Sequence, residues 1–114
     1  MEPAPLTPAA FHVLLAIAAG RNHGYAVMRY VEETSDGTIR LGPGTLYRTI
    51  GRLLADGLVE EWGGVDPDAP HDARRRYYRL TELGQGAARA EARSLERMVA
   101  AAREAGLLPS LGWD

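Results

Sequence analysis

The sequence contains no cysteine, no lysine and no long apolar run. Without cysteine, disulfides, thiolate metal sites and a cysteine nucleophile are excluded. No apolar stretch approaches the roughly 20 residues that cross a bilayer. The opening segment MEPAPLTPAA also lacks the basic flank and apolar core of a signal peptide. We therefore expect a cytoplasmic protein with no membrane partner.

Neither sign of charge is in large excess. The sequence has 13 basic and 15 acidic residues, which give a formal net charge of −2. This balance argues against a protein that coats nucleic acid over its whole surface, although it is compatible with a local basic patch. Every basic residue is arginine, whose planar guanidinium suits phosphates and guanine edges. A codon bias toward arginine, alanine and glycine explains the same composition. The 114 residues suffice for one domain with a core.

Caps and apolar spacing predict three helices in the first half of the chain. Thr7 caps the first and Gly20 closes it. Its apolar face consists of Phe11, Leu14, Leu15 and Ala18. The second helix is predicted from about His23 to Thr34 and the third from Pro43 to Asp56. The partly buried side chains of the second helix are expected to be Tyr25, Met28 and Val31.

Two strand-like runs and a long helix complete the pattern. Residues 58–62 and 75–81 are rich in β-branched and aromatic residues, and a loop dense in glycine, proline and aspartate separates them. Thr81 then caps a helix that reaches about Ala105. This order predicts a mainly α (α+β) fold, a winged helix-turn-helix with a two-stranded wing. The expected division is a DNA-binding domain over residues 1–80, a dimerisation helix over 81–106 and a tail over 107–114.

The third helix has two unlike faces. Its apolar stripe is formed by Leu46, Ile50, Leu53 and Leu54. Its other side carries Thr45, Arg48, Thr49, Arg52 and Asp56. Hydroxyls and arginines suit a major groove, and Gly42 and Gly44 allow the helix entrance to approach a phosphate closely. The alternative is an ordinary solvated face on a core helix, but the arginines of the segment RRRYYR, residues 74–79, favour DNA.

GTLYRTIGRLLADGLVEEW followed by RRRYYRLTELG resembles the PadR family of bacterial transcriptional regulators. The resemblance covers about residues 6–105 and implies a homodimeric repressor that binds double-stranded DNA at a palindromic operator. It also implies that Tyr47 and the start of the third helix lie against the DNA backbone. Members often have proline where this chain has Arg48. The predicted DNA contacts are Gly44, Thr45, Tyr47, Arg48, Thr49, Arg52, Arg74, Arg75 and Arg76.

Dimerisation is predicted from the small and apolar positions of the fourth helix, which recur at steps of three and four. The predicted interface consists of Phe11, Leu15, Ala88, Ala92, Leu95, Val99 and Ala102. An intramolecular core is the alternative, but so small a hairpin cannot cover a helix of this length. Two-fold symmetry would match a palindromic operator.

Other functional classes find little support. His12, His23 and His71 do not share ligand spacing, so no metal site and no cofactor are expected. No nucleophile motif or phosphate-binding loop occurs, so an enzyme is not expected. Trp62 and Trp113 are candidates for an effector pocket at the dimer interface, although packing is the first explanation of both, since aromatic side chains serve packing first. The rival function is a winged helix that docks a protein instead of DNA.

Overall fold

The computed structural model describes residues 6–62 and 76–111, and within them it confirms the predicted winged helix-turn-helix. The elements are α1 (Pro8–Ala18), α2 (Gly24–Thr34), α3 (Pro43–Ala55), β1 (Val59–Trp62), β2 (Tyr77–Leu80) and α4 (Glu82–Glu104). The three short helices pack together, the two strands form the wing, and α4 leaves the base of the wing. None of the helices in these two ranges is long and apolar enough to cross a membrane.

Side-chain caps set where the helices begin. The Thr7 hydroxyl accepts a hydrogen bond from the Ala10 amide at 3.1 Å, and the Thr81 hydroxyl accepts one from Gly84 at 3.0 Å, as predicted. His23 is a cap and not the first helical residue, because its Nδ1 accepts from the Ala26 amide at 3.4 Å. At the other end of α3, Gly57 takes a left-handed φ of 75°, which only glycine adopts without strain.

A single apolar core joins the first three helices to the wing. Its buried members are Val13, Leu14, Ala16, Ile17, Val27, Val31, Leu46, Ile50, Leu53, Leu58, Val59 and Tyr78. The predicted anchor of α3 is confirmed, since Leu46, Ile50 and Leu53 are all buried. Two predictions about helix faces were wrong: Leu15 and Ala18 of the predicted α1 face are exposed, and Tyr25 is 63% exposed instead of partly buried. Val27 and Val31, one turn apart, supply the inner face of α2 instead.

The wing is an antiparallel hairpin that is tied to the helices at its base. Val59 pairs with Leu80 and Trp62 with Tyr77. The Tyr78 amide donates to the Asn22 carbonyl at 2.8 Å, which links β2 to the connection between α1 and α2. The wing therefore has a fixed position relative to the helix-turn-helix.

The root of α4 is built around Thr81 and Gly84. The Thr81 amide donates to the Leu58 carbonyl at 3.1 Å, and its hydroxyl donates to the Gly57 carbonyl at 2.6 Å. Gly84 is buried against the same Leu58 carbonyl, and a Cβ at this position would overlap it. Because both contacts converge on the segment that follows α3, the end of α3 and the start of α4 are held together.

Candidate nucleic-acid interface

The buried stripe of α3 turns its polar residues outward. Thr45, Arg48 and Arg52 are exposed, whereas Thr49 is half-buried and its hydroxyl donates to the Thr45 carbonyl at 2.8 Å. Gly51 is also exposed, with nothing within 4 Å of where its Cβ would be. Gly51 was not among the predicted contacts, although its spacing of seven residues from Gly44 places both on one face. The outward surface of α3 therefore includes two arginines, a threonine and a tyrosine beside two glycines.

Most of the arginines around α3 have carboxylate partners, whereas the two arginines of α3 have none among the described residues. In the helix-turn-helix and wing, the arginines that form ion pairs are Arg29 with Glu33, Arg40 with Glu32, Arg76 with Glu61 and Arg79 with Glu60. Within residues 6–62 and 76–111, Arg48 and Arg52 have no such carboxylate partner. Their guanidinium groups are therefore free to bind an external anion or a guanine edge.

The start of α3 leaves backbone donors uncovered by side chains. Gly42 is the N-cap residue and provides no side-chain hydrogen bond, and Pro43 occupies the first turn. A Cβ at Gly44 would meet nothing within 4 Å, so the backbone here can be approached closely. Amides at a helix start, together with the helix dipole, favour an anion such as a phosphate.

Tyr47 lies at the junction of α3 with α2. Its side chain is 52% exposed, and a Cβ built on Gly24 would be only 2.6 Å from the Tyr47 hydroxyl oxygen. Gly24 therefore provides the space in which the phenol rests. Burial raises the pKa of the neighbouring Tyr78 phenol above its usual 10.0, and Glu61 and Tyr47 act in the same direction.

Ion pairs hold both described arginines of the wing. Arg76 lies 3.2 Å from a Glu61 carboxylate oxygen, and Arg79 lies 2.7 Å from one of Glu60. The Arg79 guanidinium also stands 5.7 Å from the centre of the Trp62 ring. The pairing of the β1 carboxylates with Arg76 and Arg79 was not predicted, because it depends on the register of the hairpin. Arg74 and Arg75 lie outside the described residues.

Much of the predicted dimer surface is accessible in the single chain. Leu15 is 36% exposed and Val99 is 39% exposed, Ala92 is exposed, and the remaining predicted positions are half-buried. The half-buried positions are Phe11, Ala88, Leu95 and Ala102. Met98 is 61% exposed and adds an apolar side chain that the sequence pattern did not include.

Only one of the two tryptophans predicted to line an effector pocket lies among the described residues. Trp62 is 45% exposed and packs against Arg79, whereas Trp113 lies outside the described residues. Among the residues described, no group of three or more histidine, aspartate or glutamate side chains could hold a metal ion.

The sequence of the chain is similar to the sequences of known proteins. The chain is 40% identical over 88 residues to the transcriptional regulator Rv3488 of Mycobacterium tuberculosis, covering 76% of this chain and 75% of that protein. It is 39% identical over 89 residues to an uncharacterized 37.1 kDa protein in transposon TN4556 of Streptomyces fradiae, covering 75% of this chain but only 22% of that protein.

The chain is also similar to a solved structure and matches a protein family. The PcaV transcriptional regulator from Streptomyces coelicolor, in complex with its natural ligand, has a TM-score of 0.66 and 25% identity, covering 96% of this chain and 68% of that one. Residues 13–90 match the transcriptional regulator PadR-like family. The chain therefore belongs to the PadR-like family of transcriptional regulators.

Proposed function

We propose that this chain represses transcription as a homodimer that binds a palindromic DNA operator in the cytoplasm of a bacterium. The observation that carries the proposal is the outward face of α3, where Arg48 and Arg52 lack carboxylate partners among the described residues. A helix of this kind enters the major groove in winged helix-turn-helix proteins. Membership in a family of transcriptional regulators supports the same function.

Each part of the interface has a separate task. Arg48, Arg52 and Thr45 contact base edges and phosphates, and Thr49 supports Thr45 from its half-buried position. Gly44 and Tyr47 hold the DNA backbone at the start of α3. The wing arginines, from Arg74 to Arg76, follow the phosphates beside it.

The exposed face of α4 pairs with a second copy in this proposal. Ala92 and Ala102 permit close approach, and Leu95 and Val99 supply apolar area. Ala88, which was also predicted in the interface, packs against the core of its own chain. Two recognition helices would then reach half-sites about 34 Å apart, which is one turn of DNA. An effector held near Trp62 and Trp113 would act at the same interface.

A protein-docking role for the α3 face is the alternative. Salt dependence distinguishes the two functions, because DNA binding releases counterions from phosphates. If each subunit neutralises three to four phosphates, log K for the dimer should fall against log salt with a slope of about −5 to −7.

The test measures binding of the full chain to the DNA upstream of its own gene by fluorescence anisotropy at two salt concentrations. Arg52→Ala should reduce operator binding by about 1–3 kcal/mol and leave the unfolding free energy almost unchanged, since Arg52 is exposed. Arg97→Ala, which removes the same charge from α4, is the control. Absent or salt-independent binding would contradict the proposal, and equal losses on random DNA would assign Arg52 to phosphate alone.

A further inference from the structure

Gly51 lies well inside α3, on the outward face of the helix. Arg48 precedes it by three residues and Arg52 follows it directly. Both arginines lack a carboxylate partner among the described residues. A position without a side chain therefore lies between the two guanidinium groups that carry the proposed function.

No contact in the described parts of the chain calls for glycine at position 51. A Cβ at this position would meet none of the described atoms within 4 Å. Its backbone is also helical, since the described glycines with a positive φ are Gly20, Gly37, Gly57 and Gly106. Glycine inside a helix is destabilising relative to alanine, because it loses more conformational freedom on folding. The fold would gain stability from alanine here, so the glycine points to a constraint from outside the chain.

The direction of helical side chains shows what a larger residue at position 51 would cover. Side chains in a helix lean toward its N-terminus, over the residues three and four positions earlier. From position 51 these residues are Arg48 and Tyr47, which are both proposed DNA contacts. With glycine, the backbone between the exposed Tyr47 phenol and the two guanidinium groups stays open to an external surface.

We propose that Gly51 determines how closely α3 approaches the floor of the major groove, and therefore how selectively the chain recognises its operator. This inference rests on the proposed function. Base edges lie deeper in the groove than phosphates, so Arg48 and Arg52 reach them only when the helix axis is close. A side chain at position 51 meets the DNA first and holds the axis away. Contacts to base edges are then lost before contacts to phosphates.

The test compares Gly51→Ala with Gly86→Ala in the full chain. Gly86 lies in α4 and is exposed, and a Cβ there would also meet none of the described atoms within 4 Å. Both substitutions should raise the urea midpoint of unfolding, because alanine favours the helix. Only Gly51→Ala should also weaken binding to the upstream DNA, by at least about fivefold, which is the effect of one mismatched base pair.

Side-chain size and DNA sequence separate close approach from any other role of position 51. Gly51→Leu should weaken binding to the upstream DNA more than Gly51→Ala does, since leucine holds the helix further away. On random DNA of the same length, both variants should bind nearly as well as the wild-type chain, because phosphate contacts carry non-specific binding. The ratio of the two affinities should therefore fall as the side chain grows.

Fluorescence anisotropy at one fixed salt concentration measures all of these affinities. Unchanged binding of both Gly51 variants to the upstream DNA would overturn the proposal, and so would equal losses on upstream and random DNA. In both of these cases the binding of the wild-type chain leaves the proposed function in place. If the wild-type chain does not bind the upstream DNA, the proposed function is wrong and the role of Gly51 fails with it.

Discussion

At the scale of single residues, Gly84 has the most demanding position in the described chain. A side chain there would overlap the Leu58 carbonyl, which is backbone and cannot turn aside. We expect Gly84→Ala to lower the unfolding free energy by about 3 kcal/mol, because the start of α4 must move away from the wing. Urea denaturation followed by circular dichroism measures this change.

Gly86→Ala, two residues further along α4, is the matched control for Gly84→Ala. A Cβ at Gly86 meets nothing within 4 Å, so the higher helix propensity of alanine should stabilise the chain by about 0.5–1 kcal/mol. Similar losses at both positions would mean that Gly84 is not confined by Leu58.

The sequence predicts which residues are buried in some elements and does not determine it in others. The spacing of Leu46, Ile50 and Leu53 fixes the inner face of α3, because polar residues fill the opposite side. In α1 almost every position is apolar, so periodicity cannot choose a face, and Ala18 was assigned wrongly. The enclosure of Gly84 by Leu58 depends on contacts that no local pattern encodes.

At the scale of elements, the carboxylates of β1 pair with the described arginines of the wing. Glu61 pairs with Arg76 at 3.2 Å, and both side chains are largely exposed. We expect Glu61→Gln to increase DNA affinity and to steepen the salt slope by up to about 0.9 per subunit, since Arg76 becomes available for one further phosphate. Anisotropy titrations across a salt series measure both quantities.

Glu33→Gln supplies the control, because it removes the same charge and breaks a comparable exposed pair with Arg29 in α2. Stability should change by less than about 1 kcal/mol in either variant, as exposed ion pairs contribute little. An unchanged salt slope for Glu61→Gln would show that Arg76 does not contact phosphate.

The sequence predicts the start of a helix well where a capping side chain marks it. Thr7 and Thr81 were predicted as caps and are confirmed by their hydrogen bonds. His23 was placed one position too far into α2, because a histidine cap lacks the usual hydroxyl or carboxylate signal. The pairing of the wing arginines could not be predicted, since it depends on which residues the hairpin register brings opposite each other.

At the scale of the whole molecule, the exposed apolar face of α4 is the surface on which we propose that a second copy packs. Val99→Glu should convert the proposed dimer to monomer, because the two-fold axis would bring two carboxylates together in an apolar seam. Sedimentation equilibrium measures the change, and operator affinity should fall with it. Val99 is 39% exposed in the single chain, so the fold itself should tolerate the substitution.

Ala101→Glu provides the control on α4, since residue 101 lies on the side of the helix away from the seam. It should leave the dimer intact. A wild-type chain that sediments as a monomer at the concentrations that bind DNA would contradict the dimer.

The junction at Thr81 has a mechanical consequence. One residue connects the Gly57 carbonyl, the Leu58 carbonyl and the Gly84 amide, so α4 and the end of α3 turn as one body. The 23 residues of α4 make an arm about 35 Å long. A displacement of about 3 Å at the far end of such an arm therefore rotates its root by about 5°. We expect a shift at the distal end of α4 to change the direction of α3 by a similar angle.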